Sequence, residues 1–230
     1  MTMNSINFEK SVPTNLPVFP AASYRRVPFG IYRNVVKPGL DKLLILLAAP
    51  LVLPVMGLLA LLVTLDGGKP FYAQMRVGKG GKSFRMWKIR TMVSDADAQL
   101  EAYLAANPAA RAEWNATQKL KNDPRITRIG NILRKTSLDE LPQLFNVLAG
   151  SMSLVGPRPM MVKQKPLYDG QAYFQLAPGI TGLWQTSDRN DCDFVDRIKY
   201  DETYGRTVSL ATDLRILFKT VGVVLRGTGC

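Results

Sequence analysis

The chain has no histidine, two cysteines, and only 18 acidic residues against 30 basic ones. Without imidazole there is no Ser-His-Asp triad, no histidine-based zinc helix and no histidine general base. Acid–base or nucleophilic work therefore falls to carboxylates, Lys, Tyr, Cys or a bound metal. Cys192 and Cys230 are too few for a thiolate zinc site and too sparse for a disulfide framework, which points to a reducing compartment. The shortage of acid leaves a net charge of +12 on 230 residues and predicts an anionic partner. Nucleic acid is not expected to be that partner, because no nucleic-acid module is recognisable and the basic residues flank an apolar segment.

From Leu43 to Leu65 no side chain is charged. A run of about 23 apolar residues is long enough for a bilayer core of roughly 30 Å. It starts too far into the chain for a cleavable signal peptide, and no small-residue cleavage site follows it. Pro50 and Pro54 sit near its middle, where each removes an N–H and crowds the preceding turn. The two arms are each about eleven residues, or roughly 16 Å as helix, half the hydrocarbon thickness. Basic residues flank both ends, with Arg25, Arg26, Arg33, Lys37 and Lys42 before and Lys69, Arg76, Lys79, Lys82 and Arg85 after. A spanning helix concentrates such residues on one side. The expectation is a re-entrant helix-break-helix hairpin over residues 38–67, broken at Pro50 and Pro54, with a kinked spanning helix as the alternative.

Residues 1–37, rich in Pro, Asn and Ser, read as a flexible basic arm, and residues 68–230 as a globular domain. Residues 71–77 and 83–89 read as two strands of a hairpin around Gly78 to Gly81. That turn is a poor Walker A loop, since Arg76 stands where its first glycine is required. Helices are predicted over 94–120, interrupted at Asn107-Pro108, over 137–148 and over 209–225. The last carries Arg215, Lys219 and Arg226 on one face, which suits either an amphipathic helix at a lipid interface or a core helix with a solvated basic face. The fold class is α/β, mostly helical with a small β-hairpin, joined to the membrane element and to interfacial amphipathic helices.

Residues 119–144 hold six cations, Lys119, Lys121, Arg125, Arg128, Arg134 and Lys135, ahead of the pair Asp139-Glu140. Ser137 to Glu140 fits a capping box, a purely structural role. The other reading places a carboxylate at a helix start among guanidinium groups, where phosphate also binds. Asp139 then acts as a nucleophile on phosphorus, with Glu140 beside a divalent metal. Arg158, held between Pro157 and Pro159, reads as a preset phosphate ligand or as a solvated loop residue. The turn Pro178 to Gly182, with Thr181 in it, offers backbone amides to an anion.

The order of these pieces resembles the bacterial sugar transferases, the monotopic polyprenyl-phosphate phosphoglycosyl transferases that begin exopolysaccharide assembly. The matching stretches are the Pro-containing segment with Leu65-Asp66, then Arg76 to Gly78, Lys88 to Met92, Arg134 to Leu144, Met152 to Pro159 and Pro178 to Gln185. The resemblance implies that Asp139 displaces UMP from a UDP-sugar to form a covalent phosphosugar, which polyprenyl phosphate then accepts in a ping-pong sequence. It implies Mg²⁺ at Glu140, phosphate contacts from Arg134 and Arg158, and further substrate contacts from Lys88, Arg90 and Thr181. The stretch Gly182 to Gln185 with Ser187 to Asp191 is similar to the branch that transfers hexose-1-phosphate, galactose in particular. The family's Ser-Pro break is Leu53-Pro54 here. The implied setting is the bacterial inner membrane, with the site on the cytoplasmic face, membrane lipids as partners and a homo-oligomer left open. A non-catalytic, membrane-anchored partner of an assembly complex is the competing expectation.

Overall fold

Lys37–Leu65 form one α-helix, α1, in the computed structural model, which describes residues 30–117, 120–187 and 196–225. A π-helical turn, Tyr32–Val36, leads into it, so helical structure already covers the end of the stretch expected to be a flexible arm. Residues 1–29 of that stretch lie outside the described residues. Both prolines lie inside α1, and the helix is not interrupted at either. The break into two separate arms is therefore corrected to a continuous helix. Each proline removes a single donor, to the carbonyls of residues 46 and 50, and an apolar helix has no better use for its remaining backbone groups. Leu47, Leu51, Leu58 and Leu61 are exposed. Only 11% of the apolar window is buried, far less than in the core helix of a soluble protein.

The described residues fall into two compact units. Within those residues, one draws on 30–43, 75–84, 146–187 and 196–221, the other on 44–74, 85–117, 120–145 and 222–225. The antiparallel reading of the hairpin strands holds to the residue, with β1 at Phe71–Val77 and β2 at Ser83–Ile89. Gly80 and Gly81 take the positive φ that the intervening turn needs.

In the second unit, α2 (Ala96–Ala106) and α3 (Pro108–Thr117) are separated at Asn107-Pro108, where the interruption was expected. Pro108 opens α3, a position where its missing N–H costs nothing. An unexpected helix, α4 (Arg128–Thr136), is capped by the Thr127 hydroxyl, which accepts from the Gly130 amide at 3.0 Å. Met56 and Val63 of α1, Ile89 of β2 and Leu133 of α4 form this unit's core. Ile89 and Leu133 are almost fully buried, and such side chains each contribute about 2 kcal/mol.

In the first unit, α5 (Gln143–Leu148) leads to β3 (Ser153–Val155), which pairs in parallel with β4 (Gly179–Thr181). The short helix α6 (Ala172–Gln175), α7 (Arg197–Thr207) and α8 (Leu210–Leu225) complete it. Val155, Leu176, Tyr204 and Ile216 form one core cluster, and Val77, Met160, Tyr168, Tyr173 and Ile198 another. The start of α1 is fastened here by buried charge. Lys37 donates to Asp213 at 2.5 Å, and Asp41 accepts from the Ser153 hydroxyl at 2.5 Å and the Leu154 amide at 3.3 Å.

Candidate active site

The approach to the site begins where β2 ends. The residues after it, 91–93, pair with 125–127 through Val93 N to Arg125 O at 2.9 Å and Thr127 N to Thr91 O at 3.1 Å. That pairing lays the first turn of α4 on the Thr91 carbonyl. A Cβ on Gly130 would lie 2.0 Å from that oxygen, so only glycine permits the approach. One turn on, Arg134 Nε donates to Thr91 Oγ1 at 2.9 Å and is held in one orientation.

Helix α4 ends at Ser137, which has φ 56 and ψ 19 and is the one positive-φ non-glycine among the described residues. Its amide donates to the carbonyls of Arg134 and Leu133. Its side chain caps nothing, so the capping box is not formed. A serine in the left-handed region costs about 1–2 kcal/mol, and the reversal it makes delivers the 3₁₀ turn Leu138–Glu140. Asp139 is buried there at 8% exposure.

Lys88 of β2 meets both carboxylates, at 3.2 Å from Asp139 Oδ2 and 2.8 Å from Glu140 Oε1. Burial pushes the Asp139 carboxyl above the ordinary carboxylate range and Glu140 adds to the rise, while the charges of Lys88 and Arg134 pull against it. Burial works against the charge on Lys88, but Glu140 and Asp139 outweigh it and hold the ammonium above the usual lysine value. The result is a buried carboxyl group held beside a cation, the kind of perturbed pair that marks a candidate functional site.

Two adjacent carboxylates supply hard oxygen ligands, and Lys88 marks the space between them as favourable to positive charge. Magnesium is bound in this fashion, by one or two carboxylates completed by substrate phosphates, so the residues fit that ion. Among the described residues no three Asp, Glu, Cys or His side chains form a closed metal cage.

The other sequence-derived residues distribute unevenly. Arg90 turns to the Val63 carbonyl at 3.0 Å and to Ser94 Oγ at 2.8 Å, which fastens the end of α1. Arg125, one of the six cations ahead of the acidic pair, is bound by both oxygens of Asp123 at 2.8 and 2.7 Å. Lys119 lies outside the described residues. Arg158 and Thr181 belong to the first unit. There the Arg158 guanidinium lies 6.0 Å from the Trp184 ring centre, and Thr181 Oγ1 is 2.6 Å from Thr220 Oγ1. Thr91, which orients Arg134, was signalled in the sequence only by its place in Lys88 to Met92.

A family model described as bacterial sugar transferase matches residues 32–227. The exopolysaccharide production protein ExoY of Sinorhizobium fredii is 45% identical over 202 residues, covering 85% of this chain and 88% of that protein. A UDP-galactose-lipid carrier transferase of Erwinia amylovora is 51% identical over 181 residues, 78% of this chain and 38% of that protein. An undecaprenyl-phosphate galactose phosphotransferase of Salmonella typhimurium is 53% identical over 169 residues, 73% of this chain and 36% of that protein. The chain thus matches most of the length of ExoY but well under half of the two galactose-directed relatives.

Proposed function

The chain belongs to the bacterial sugar transferase family, and from that premise we propose that it transfers a hexose-1-phosphate, galactose-1-phosphate in the first instance, from a UDP-sugar to polyprenyl phosphate. The observation that carries the reading is the buried Asp139 with Lys88 at 3.2 Å and Glu140 next in the chain. The Asp139 oxygen attacks the sugar-bearing phosphorus. The bond from that phosphorus to the bridging oxygen breaks, and UMP leaves with the electron pair. An oxygen of polyprenyl phosphate then attacks the same phosphorus, the bond to Asp139 breaks, and the carboxylate is regenerated with a polyprenyl diphosphate sugar as product. Arg134 and Arg158 bind phosphate oxygens, and Lys88 steadies the carboxylates between steps. Glu140 would hold Mg²⁺, whose contribution is to offset charge on the diphosphate.

The membrane arrangement follows the same logic. A soluble nucleotide sugar and a lipid phosphate must meet one carboxylate, which places the site at headgroup depth on the cytoplasmic face of the inner membrane. Folded residues hold both ends of α1, Asp213 and Ser153 at its start and Ile89 and Leu133 at its end. A helix that enters and leaves the lipid from one side, curving within α1 at Pro50 and Pro54, would keep the basic residues of both flanks on that side. Leu214, Phe218 and Val221 of α8 are exposed, and Arg215 and Lys219 are exposed beside them. This pattern suits the lipid interface.

The test is UMP release from UDP-galactose in the presence of Mg²⁺ and polyprenyl phosphate, with intact-mass analysis of the protein. A hexose-phosphate adduct is expected on the wild type and none on Asp139→Asn. Undiminished turnover by Asp139→Asn would discard the covalent route.

A further inference from the structure

Arg158 sits in a stretch that cannot secure itself. Pro157 and Pro159 have no N–H, so the backbone here lacks half of its usual donors. Its carbonyls are instead held one after another from outside. Gly179 N donates to Pro157 O at 2.8 Å, Arg76 Nη1 to Pro159 O at 3.5 Å and Val77 N to Met160 O at 3.0 Å. The carbonyl of Arg158 itself is taken by a second arginine, Arg197, through Nη2.

Arg197 is the first residue of α7 and is 4% exposed. Its guanidinium lies 5.8 Å from the ring centre of Tyr168, 5.7 Å from that of Tyr173 and 5.8 Å from that of Trp184. Asp201 stands 3.7 Å away and also accepts from the Tyr168 hydroxyl at 2.8 Å. Trp184 is thus shared, since the Arg158 guanidinium lies 6.0 Å from the same ring. A guanidinium with a fixed planar fork can stack on aromatic faces while its edge bonds a carbonyl in a set direction, whereas a lysine ammonium is a point charge without that fixed direction. Burying such a cation is expensive, and neutralising Asp201 does not require it to reach a loop in another part of the unit.

We infer that Arg197 is the positioning residue for Arg158, presetting that guanidinium for the donor's phosphate by holding its carbonyl and sharing its contact with Trp184. The inference rests on the proposed role of Arg158 in binding phosphate. It adds to that role a residue that touches no substrate and acts only through the loop.

The test uses the full chain in detergent with UDP-galactose, polyprenyl phosphate and Mg²⁺, comparing wild type, Arg197→Lys, Arg158→Lys and the double variant. Arg197→Lys keeps the charge beside Asp201 but loses the fork. It is expected to raise the donor KM roughly tenfold with kcat little changed, since a small displacement of a substrate-positioning group has effects of that order. In the Arg158→Lys background the same change should alter the donor KM by less than about twofold, because its route of action has already been removed. Hydrogen exchange in peptides covering residues 156–161 should quicken in Arg197→Lys, with the rest of the unit unchanged. An equal KM penalty in both backgrounds, an unchanged KM, or unchanged exchange over 156–161 overturns the inference. If Arg158→Lys alone leaves the donor KM unaltered, the phosphate role of Arg158 fails instead, and the exchange result judges Arg197 by itself. Should Arg197→Lys unfold, Arg197→Gln keeps an N–H donor without the charge and is read in the same way.

Discussion

The Lys88 ammonium donates to the Glu140 carboxylate at 2.8 Å, one residue beyond the buried Asp139. A single cation near the end of β2 therefore restrains two neighbouring acids that would otherwise repel one another. Both partners are largely buried, so solvent screens the pair little.

Removing that cation strands two carboxylates in a poorly solvated place. Lys88→Met is expected to lower UMP release about a hundredfold or more, in line with the loss of a preorganised charge at a reacting centre. It should also cost about 3 kcal/mol of stability, as breaking buried pairs does. Lys88→Arg should retain more of both. Steady-state UMP assays and thermal unfolding in detergent check this, and full activity in Lys88→Met would remove Lys88 from the site.

Gly130→Ala pits two effects of opposite sign against each other. Alanine favours a helix over glycine by about 1 kcal/mol, whereas a Cβ 2.0 Å from the Thr91 carbonyl oxygen forces α4 off its seat. Overpacking of this kind costs about 1–3 kcal/mol, and backbone is the least able to give way. Because the clash is with backbone, its cost falls in the upper part of that range and the net loss is up to about 2 kcal/mol. Activity should fall as well, because the 2.9 Å bond from Arg134 to Thr91 depends on that seat. A stabilised and fully active variant would contradict the packing.

Asp201 gives a pH signature. Burial lifts its carboxyl to about 6, against the charge of Arg197 and the hydroxyl of Tyr168, with Glu202 adding to the rise. An unfolded Asp titrates near 3.9, so between those values the folded chain holds a proton that the unfolded chain has lost. The contribution is present in full below about pH 4, is lost as pH rises through about 6, and amounts to about 3 kcal/mol at most. Asp201→Asn removes that dependence. The difference in unfolding free energy between wild type and variant should therefore shift in favour of the variant between pH 4.5 and pH 7, and a difference independent of pH would show that Asp201 is ionised throughout.

The parts readable from sequence are those with local signals. Both hairpin strands alternate and are bounded by glycines, and they were placed to the residue. Asp139 and Glu140 stood out because six cations precede them. What escaped was fixed by contacts distant in sequence. Helix α7 carries Arg197, Asp201 and Glu202 on its buried residues, so its pattern reads as solvated rather than as core. The strands β3 and β4 have three residues each and are defined by pairing with one another rather than by alternation. Ser137 misled for a different reason, because a Ser-x-x-Glu pattern satisfies a capping box on paper while its backbone had been committed to ending α4. Nothing local announces that Lys37 finds Asp213 or that Asp41 finds Ser153.

Those last two pairs decide what the prolines of α1 are expected to do. Replacing Pro50 and Pro54 by Leu restores two backbone donors, and a proline inside a helix costs about 3 kcal/mol, so straightening gains about 6 kcal/mol in all. Opposing it is the clasp at the helix start, of which the buried Lys37–Asp213 pair accounts for about 3–5 kcal/mol. The difference of about 1–3 kcal/mol favours straightening, so most molecules should carry the start of α1 to the outer side, and adding Lys37→Met should complete the change. Val35 is 65% exposed and serves as the reporter. With Cys192 and Cys230 replaced by serine, Val35→Cys should resist a membrane-impermeant maleimide in spheroplasts when both prolines are present. It should label in most molecules of the double leucine variant and fully with Lys37→Met. Labelling with both prolines intact would mean that α1 spans the bilayer, and no labelling in any variant would mean that the prolines do not set the bend.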